Sequence, residues 1–95
     1  MIIKTLGNQS VKIEFEELYV KPFYKTNRVY YCLCSNLGNK EIKIAKYSNK
    51  KLAKTMKCII HLHRFLEKPI EILNECDVEK WLKGTERLLR AVKAQ

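Results

Sequence analysis

The stretch KEIKIAKYSNKKLAKTMKCIIHLHRFLEK, residues 40–68, contains the change of hydrophobic period that decides the fold. In its first part, Ile42 and Ile44 alternate with Lys43 and Ala45. A period of two is typical of a β-strand with two different faces. Beyond this strand the spacing of the apolar residues becomes helical.

The second part of the stretch predicts an α-helix that begins after Ser48 and ends before Pro69. Serine is a common helix N-cap, and proline cannot continue a helix. The predicted buried stripe consists of Leu52, Met56, Ile59, Ile60, His63 and Leu66. The opposite side carries Lys50, Lys51, Lys54, Lys57, His61 and Arg64. The pattern therefore predicts a helix with one side sealed against a sheet and one cationic side facing outward.

Shorter patterns upstream predict further strands. Residues 1–6 and 11–15 have the pattern of a hairpin around a Gly-Asn turn. Residues 18–24 indicate an edge strand, because Pro22 cannot donate a hydrogen bond to a neighbouring strand. Residues 29–34 are rich in β-branched and aromatic side chains, which predicts a central strand.

Downstream, residues 70–73 fit either a short strand or a turn of helix, and a second helix is predicted with Asp77 as its cap. The stripe of this helix consists of Val78, Trp81, Leu82, Thr85, Leu88, Leu89 and Val92. The aromatic residues expected to join sheet and helices are Phe15, Phe65 and Trp81. This order predicts an α+β fold, with an antiparallel β-meander of about four strands followed by two α-helices packed on one face. The length predicts a single domain over residues 1–95.

Positive charge is concentrated in residues 40–68, which carry nine basic and two acidic residues, a net +7 of the chain's formal +9. This density favours an anionic partner. Lysines outnumber arginines there by eight to one, which favours phosphate contact without base readout. The tyrosines nearby that are candidates for base stacking are Tyr24, Tyr30, Tyr31 and Tyr47. A solvated face that keeps a small protein soluble would show the same charge pattern.

Motifs of catalysis and export are not recognised in the sequence. The chain has three glycines and no phosphate-binding loop, and none of its cysteines stands in a catalytic motif. We therefore expect a protein that is not an enzyme, needs no cofactor and does not bind membranes. Without a signal peptide, a cytoplasmic location with reduced thiols is expected.

The cysteines and histidines leave two interpretations open. A structural zinc site would use Cys32, Cys34, His63 and Cys76, because the first two share a strand face and His63 lies on the inner stripe of the first helix. A second set would use Cys58 and His61, on the outer side of that helix. Alternatively, the cysteines are small buried hydrophobic residues and His63 is hydrogen-bonded to a carbonyl.

A resemblance rests on the run Ile44–Ala53, which has the form strand–Tyr–x–turn–helix, and on the two apolar strands around Gly7-Asn8. Tyr30, Cys32 and Cys34 alternate in the following strand. In these features residues 1–66 resemble small proteins of phages and mobile elements of Gram-positive bacteria, in which a β-meander opens the chain. The resemblance implies a mobile-element origin and no particular mechanism.

We therefore expect a protein that binds and inhibits a host macromolecule, either a host protein or a nucleoprotein complex, in the manner of anti-CRISPR and other anti-defence proteins. The alternative is a small basic regulator that binds nucleic acid directly, and a Cys–His enzyme is the third hypothesis. The predicted partner-binding residues are Lys43, Lys46, Lys50, Lys51, Lys54, Lys57 and Arg64. The sequence does not indicate the oligomeric state or the identity of the partner.

Overall fold

Two three-stranded sheets and two helices form the described part of the chain, in a computed structural model that covers residues 1–5, 7 and 9–93. The strands are β1 (Ile2–Lys4), β2 (Ser10–Lys12), β3 (Tyr19–Lys25), β4 (Arg28–Leu37), β5 (Lys40–Tyr47) and β6 (Ile70–Glu71), and the helices are α1 (Lys50–His63) and α2 (Glu75–Lys93). The 3-10 helix Phe15–Glu17 lies between β2 and β3. The predicted α+β class is confirmed, with both helices after the meander. Leu6 and Asn8, predicted in the first strand and its turn, lie outside the described residues.

The meander is an antiparallel sheet with the strand order β3-β4-β5. Its central strand is β4, and β3 is an edge strand that contains Pro22, so both predictions are confirmed. The turn between β4 and β5 contains Gly38 with a φ of 64°, a left-handed conformation that side chains disfavour. This turn brings β5 back beside β4.

A β-bulge in β5 changes which way its lysines point. Leu33 pairs with Ala45, but the next residue of β4 pairs with Lys43, so Ile44 is the extra residue. Strict alternation predicts that Lys43 shares a face with Ala45, and the register shows that this assignment is wrong. The bulge instead puts Lys43 on the same face as Lys46.

Helix α1 packs across all three strands of the meander. We call the covered face, which carries Leu33, Ala45 and Tyr47, the inner face. Against it lie the buried apolar residues of α1, namely Leu52, Ala53, Met56, Ile59 and Ile60. The predicted sealed side of α1 is therefore confirmed for Leu52, Met56, Ile59 and Ile60, and Ala53, which was not in the predicted stripe, is buried with them. The opposite face of the meander, which carries Phe23, Tyr30, Lys43 and Lys46, is called the outer face.

The second sheet has the order β2-β1-β6, with β1 antiparallel to β2 and parallel to β6. Residues 70–73, which the sequence left undecided, therefore begin as a short strand. Ile3 and Ile70 from this sheet join the same hydrophobic core as the meander. Helix α2 packs against α1, and its Val78 is completely buried. The side chains of Leu89 and Val92, predicted in its stripe, lie outside the described part.

The N-cap of α1 lies later in the chain than the sequence predicts, and the N-cap of α2 lies earlier. Asn49, not Ser48, caps α1, because its side-chain oxygen accepts a hydrogen bond from the amide of Leu52 at 2.9 Å. In α2 the side chain of Asn74 accepts from the amide of Asp77 at 2.9 Å, so Asp77 lies in the first turn rather than at the cap.

The C-terminal end of α1 also differs from the prediction. The helix stops at His63, well before Pro69, and a turn follows. Leu66 is consequently 57% exposed and Phe65 82% exposed, so neither packs between the helix and the sheet as expected. The apolar spacing that predicted the burial of Leu66 continues in the sequence beyond the end of the helix, whereas Phe65 was expected in the core because it is aromatic.

Truncation of Met56 should test the packing of α1. Its side chain is fully buried and its Sδ accepts the amide hydrogen of Leu73 at 3.4 Å, which ties α1 to the segment before α2. We expect Met56→Ala to lower the free energy of unfolding by about 2–5 kcal/mol, measured by urea denaturation. The control Leu62→Ala removes a side chain that is 61% exposed and should change it by less than about 0.5 kcal/mol. Equal losses in the two variants would contradict the packing described here.

Candidate nucleic-acid interface

Two aromatic residues occupy neighbouring positions on the outer face of the meander, each with a lysine over its ring. Phe23 of β3 pairs directly with Tyr30 of β4. The Nζ atom of Lys43 lies 3.8 Å from the centroid of the Phe23 ring, and that of Lys46 lies 4.1 Å from the centroid of Tyr30. Lys21 also approaches Phe23, at 5.4 Å. Both β5 lysines reach these rings because the bulge aims them at the same face.

The charge of the meander is almost entirely positive. Its three strands carry six basic residues and one acidic residue, Glu41. The pKa of the Tyr30 phenol is lowered, chiefly by a hydrogen bond with Arg28 and also by the charges of Arg28, Lys46 and Lys25, against an opposing effect of burial. The phenol is therefore in a positive electrostatic environment, which attracts anions to the outer face.

The one carboxylate of the meander already has a hydrogen-bond partner and an ion-pair partner. Glu41 accepts a short hydrogen bond from the hydroxyl of Tyr19 and forms an ion pair with Lys21 at 3.3 Å. The hydrogen bond from Tyr19 lowers the pKa of Glu41, with Lys21 and Lys43 adding to the effect, and it raises the pKa of Tyr19 to about 12. At neutral pH the Glu41 carboxylate is therefore ionised, and its negative charge reduces the positive potential near Lys21.

A shallow cavity of about 430 Å³ lies at the centre of the outer face. Its lining combines the two rings with basic side chains and includes Phe23, Lys25, Tyr30, Cys32, Lys43, Ile44, Ala45 and Lys46. This size corresponds to a small-ligand pocket. Aromatic rings bordered by lysines are suited to planar groups attached to phosphates, because the ring binds the plane and the ammonium binds the anion.

The seven predicted partner-binding residues fall into three separate groups. Lys43 and Lys46 lie on the outer face. Lys50, Lys51 and Lys54 border a groove between α1 and α2. Lys57 and Arg64 flank the ring of Phe15, at 5.8 and 5.6 Å from its centroid. Since α1 packs on the inner face, the β5 lysines and the α1 lysines belong to opposite sides of the sheet.

The neighbours of Lys43 and Lys46 on β3 and β4 are predicted only in part by the sequence. It gives Tyr30 as a candidate for stacking, and it leaves Phe23 either in the core or in an exposed aromatic patch with Tyr19 and Tyr24. It does not point to Lys21, Lys25 or Arg28. The alternation of Lys21, Phe23 and Lys25 with period two is a signal that could have placed all three on one face. Among the tyrosines proposed for stacking, Tyr30 lies on the outer face, whereas Tyr47 is 1% exposed and belongs to the core.

The predicted zinc ligands are not brought together. Cys32 and Cys34 stand opposite Lys46 and Lys43, on the other side of the sheet from α1, which carries His63. The Nδ1 atom of His63 lies 2.8 Å from the carbonyl oxygen of Ile59, so it donates a hydrogen bond there. Within the described ranges, no group of three or more His, Cys, Asp or Glu side chains could hold a metal ion.

The remaining members of both zinc sets lie apart from the buried pair. Cys76 is exposed in the first turn of α2, and Cys58 is exposed on α1 beside the groove with α2. His61 contacts the ring of Phe15 at 4.8 Å between centroids. For the part of the chain that is described, no hydrogen bond joins a cysteine thiol to an imidazole, an arrangement that a Cys–His enzyme would use.

Comparison of the chain with protein-family models, with curated proteins and with solved structures found no match. Of the two helices described, neither has both the length and the apolar character needed to cross a bilayer. Function is therefore inferred from the outer face itself.

The four thiols should fall into two classes of reactivity. Cys58 and Cys76 are exposed, whereas Cys32 and Cys34 are buried. Burial raises the pKa of Cys32, and it raises that of Cys34 to about 11, which keeps both protonated at neutral pH. With Ellman's reagent we expect two thiols to react rapidly and two only after denaturation.

The variant Cys58→Ser/Cys76→Ser is the control for this assignment and should lose the fast phase completely. Rapid labelling of Cys32 or Cys34 in the folded protein would contradict the burial of this pair. Protection of Cys76 on addition of zinc, together with one bound zinc per chain, would instead support the zinc site predicted from the sequence.

Proposed function

We propose that the protein is a non-enzymatic binding protein that holds single-stranded nucleic acid on the outer face of its meander. The observation that carries this proposal is the neighbouring pair Phe23–Tyr30 with Lys43 and Lys46 over the two rings. Two adjacent rings provide a platform for one or two unpaired bases, and the lysines supply the charge for the phosphates between them.

The energies favour an exchange of lysine for base on each ring. A lysine over an exposed ring is worth about 0.5–1 kcal/mol, whereas a stacked base is worth about 1–3 kcal/mol. A base that displaces Lys43 or Lys46 leaves the ammonium free to contact the adjoining phosphate. On binding, each lysine therefore exchanges its contact with a ring for a contact with a phosphate.

A single strand suits this face better than a duplex. In a duplex the bases are stacked on one another, so their faces are closed to Phe23 and Tyr30. The basic residues of the meander comprise five lysines and one arginine, Arg28, and lysine is a poor reader of base edges. We therefore expect little sequence preference.

The inhibitor role expected from the resemblance is part of this proposal and stays a prediction. A protein that holds single strands on its outer face would act on a host nucleoprotein complex by competing for the nucleic acid of that complex. Its work would be cytoplasmic. The presence of free thiols at all four cysteines supports a reducing compartment.

The salt dependence of binding tests the proposal. With a fluorescent oligothymidylate and anisotropy detection, Lys43→Gln/Lys46→Gln should reduce the slope of log Kd against log salt by about 1.4, since each phosphate contact on a single strand contributes about 0.7. The matched control Lys12→Gln/Lys80→Gln removes two exposed lysines on β2 and α2 and should leave the slope nearly unchanged. Tyr30→Ala should weaken binding by about 1–3 kcal/mol at all salt concentrations.

Removal of a negative charge instead of positive ones provides the complementary test. Glu41→Gln removes the carboxylate of the meander and frees Lys21 from its ion pair, so it should tighten binding most at low salt. An equal reduction of the salt slope in the Lys12→Gln/Lys80→Gln control would contradict the proposal. So would a duplex that binds as tightly as the single strand.

A further inference from the structure

A second surface lies between the two helices, away from the outer face. The groove between α1 and α2 has a volume of about 640 Å³. Lys50, Lys51 and Lys54 of α1 form one wall, and Trp81 and Leu82 of α2 form the other. Its remaining lining residues are the small side chains of Thr55, Cys58 and Thr85. The surface inside the groove is mainly apolar, and the lysines form a cationic border. We propose that this groove docks an acidic amphipathic segment of a partner protein.

On the lysine wall, the charges of Lys50 and Lys54 are available to a partner, whereas Lys51 is paired with Glu86. Within the described ranges the ion pairs are Lys21–Glu41 and Lys51–Glu86, the latter joining α1 to α2 at 3.1 Å. Lys50 and Lys54 are exposed and lie four residues apart, so their side chains project from the same side of α1 about one turn apart. Two carboxylates at the same spacing on a partner segment would complement them.

The interior of the groove requires an apolar group between those carboxylates. Trp81 and Leu82 are both half-buried, so part of each side chain faces the groove. The lining residues of α1 run from position 50 to position 58, which corresponds to about 12 Å along a helix. This length matches two turns of a helical segment that inserts one or two apolar side chains.

The surroundings of the groove favour an acidic peptide over nucleic acid. Glu79 and Glu86 line a smaller cavity that adjoins the groove beside Leu82, together with Lys51 and Lys83. The charges there are balanced, so they provide no continuous positive track for a phosphate backbone along α2. Trp81 is also the one aromatic residue lining the groove, which offers no platform for successive bases. A peptide can instead place its few carboxylates at the lysine wall alone.

Trp81 provides a direct reporter of occupancy, because it is the single tryptophan of the chain. The probe is a synthetic helical peptide with two glutamates one turn apart and leucines between them, and its matched control carries glutamine in place of glutamate. We expect the glutamate peptide to shift the Trp81 emission to shorter wavelength in a saturable manner. Lys50→Gln/Lys54→Gln should weaken its binding about two- to thirtyfold, the loss of two exposed ion pairs.

The double variant Lys43→Gln/Lys46→Gln serves as the matched control and should bind the peptide like the parent protein. The proposal is overturned if the glutamate peptide does not bind, if the glutamine peptide binds equally well, or if binding leaves the Trp81 emission unchanged. Oligothymidylate that shifts the emission and competes with the peptide through Lys50 and Lys54 would assign the groove to nucleic acid instead. Because none of these outcomes depends on Phe23 or Tyr30, the groove and the outer face are tested separately.

Discussion

The burial of one side of α1 against the meander fixes which face of that sheet is inner and which is outer. Met56 and Ile60 are completely removed from solvent, and they contact a face built from residues such as Leu33. Each fully buried apolar side chain of this size contributes about 1.5–3 kcal/mol, far more than an exposed charge pair. Once this face is fixed inward, the residues that alternate with it must face outward, and these include Phe23 and Tyr30.

The bulge in β5 then adds what alternation alone cannot provide. Lys43 and Lys46 are three residues apart, so a regular strand would place them on opposite faces. One extra residue, Ile44, restores both lysines to the outer face, where each contacts a ring. A one-residue irregularity thus converts a strand that is merely basic into one side of a cationic and aromatic surface.

Much of the fold follows from the sequence because its period changes sharply at residue 48. The buried stripe of α1 up to Ile60, the central position of β4 and the edge position of β3 all follow from spacing and from Pro22. The end of α1 does not, because apolar spacing continues through Phe65 and Leu66 after the helix has stopped. The parallel pairing of β1 with β6 is also absent from local pattern, since it joins residues far apart in the chain.

The candidate sites were predicted only in part for the same physical reason. Charge density drew attention to residues 40–68, but it contains no information on which side of a sheet each lysine occupies. The structure divides that charge into a β5 pair beside aromatic rings, three α1 lysines beside a groove, and a third group, Lys57 and Arg64, beside Phe15. For Cys32 and Cys34, the spacing predicted their shared strand face. It did not predict that the sheet itself separates this face from His63.

The two surfaces differ in chemistry, which suggests a division of labour rather than one extended interface. The outer face offers rings and lysines with a single carboxylate at its corner. The groove offers an apolar interior with lysines along one wall, of which Lys51 is paired with Glu86 of α2. Under the two proposals, a nucleoprotein complex would present a ligand for each surface, a single strand for the first and an acidic segment for the second.

Hydroxyl-radical footprinting read by mass spectrometry tests most directly whether α1 seals one face of the meander and leaves the other open. The account predicts rapid modification of Phe65, measurable modification of Phe23 and Tyr30, and protection of Met56 and Tyr47 until the protein unfolds. Modification of Met56 as fast as that of Phe65, or protection of Phe23 and Tyr30 as complete as that of Tyr47, would contradict it.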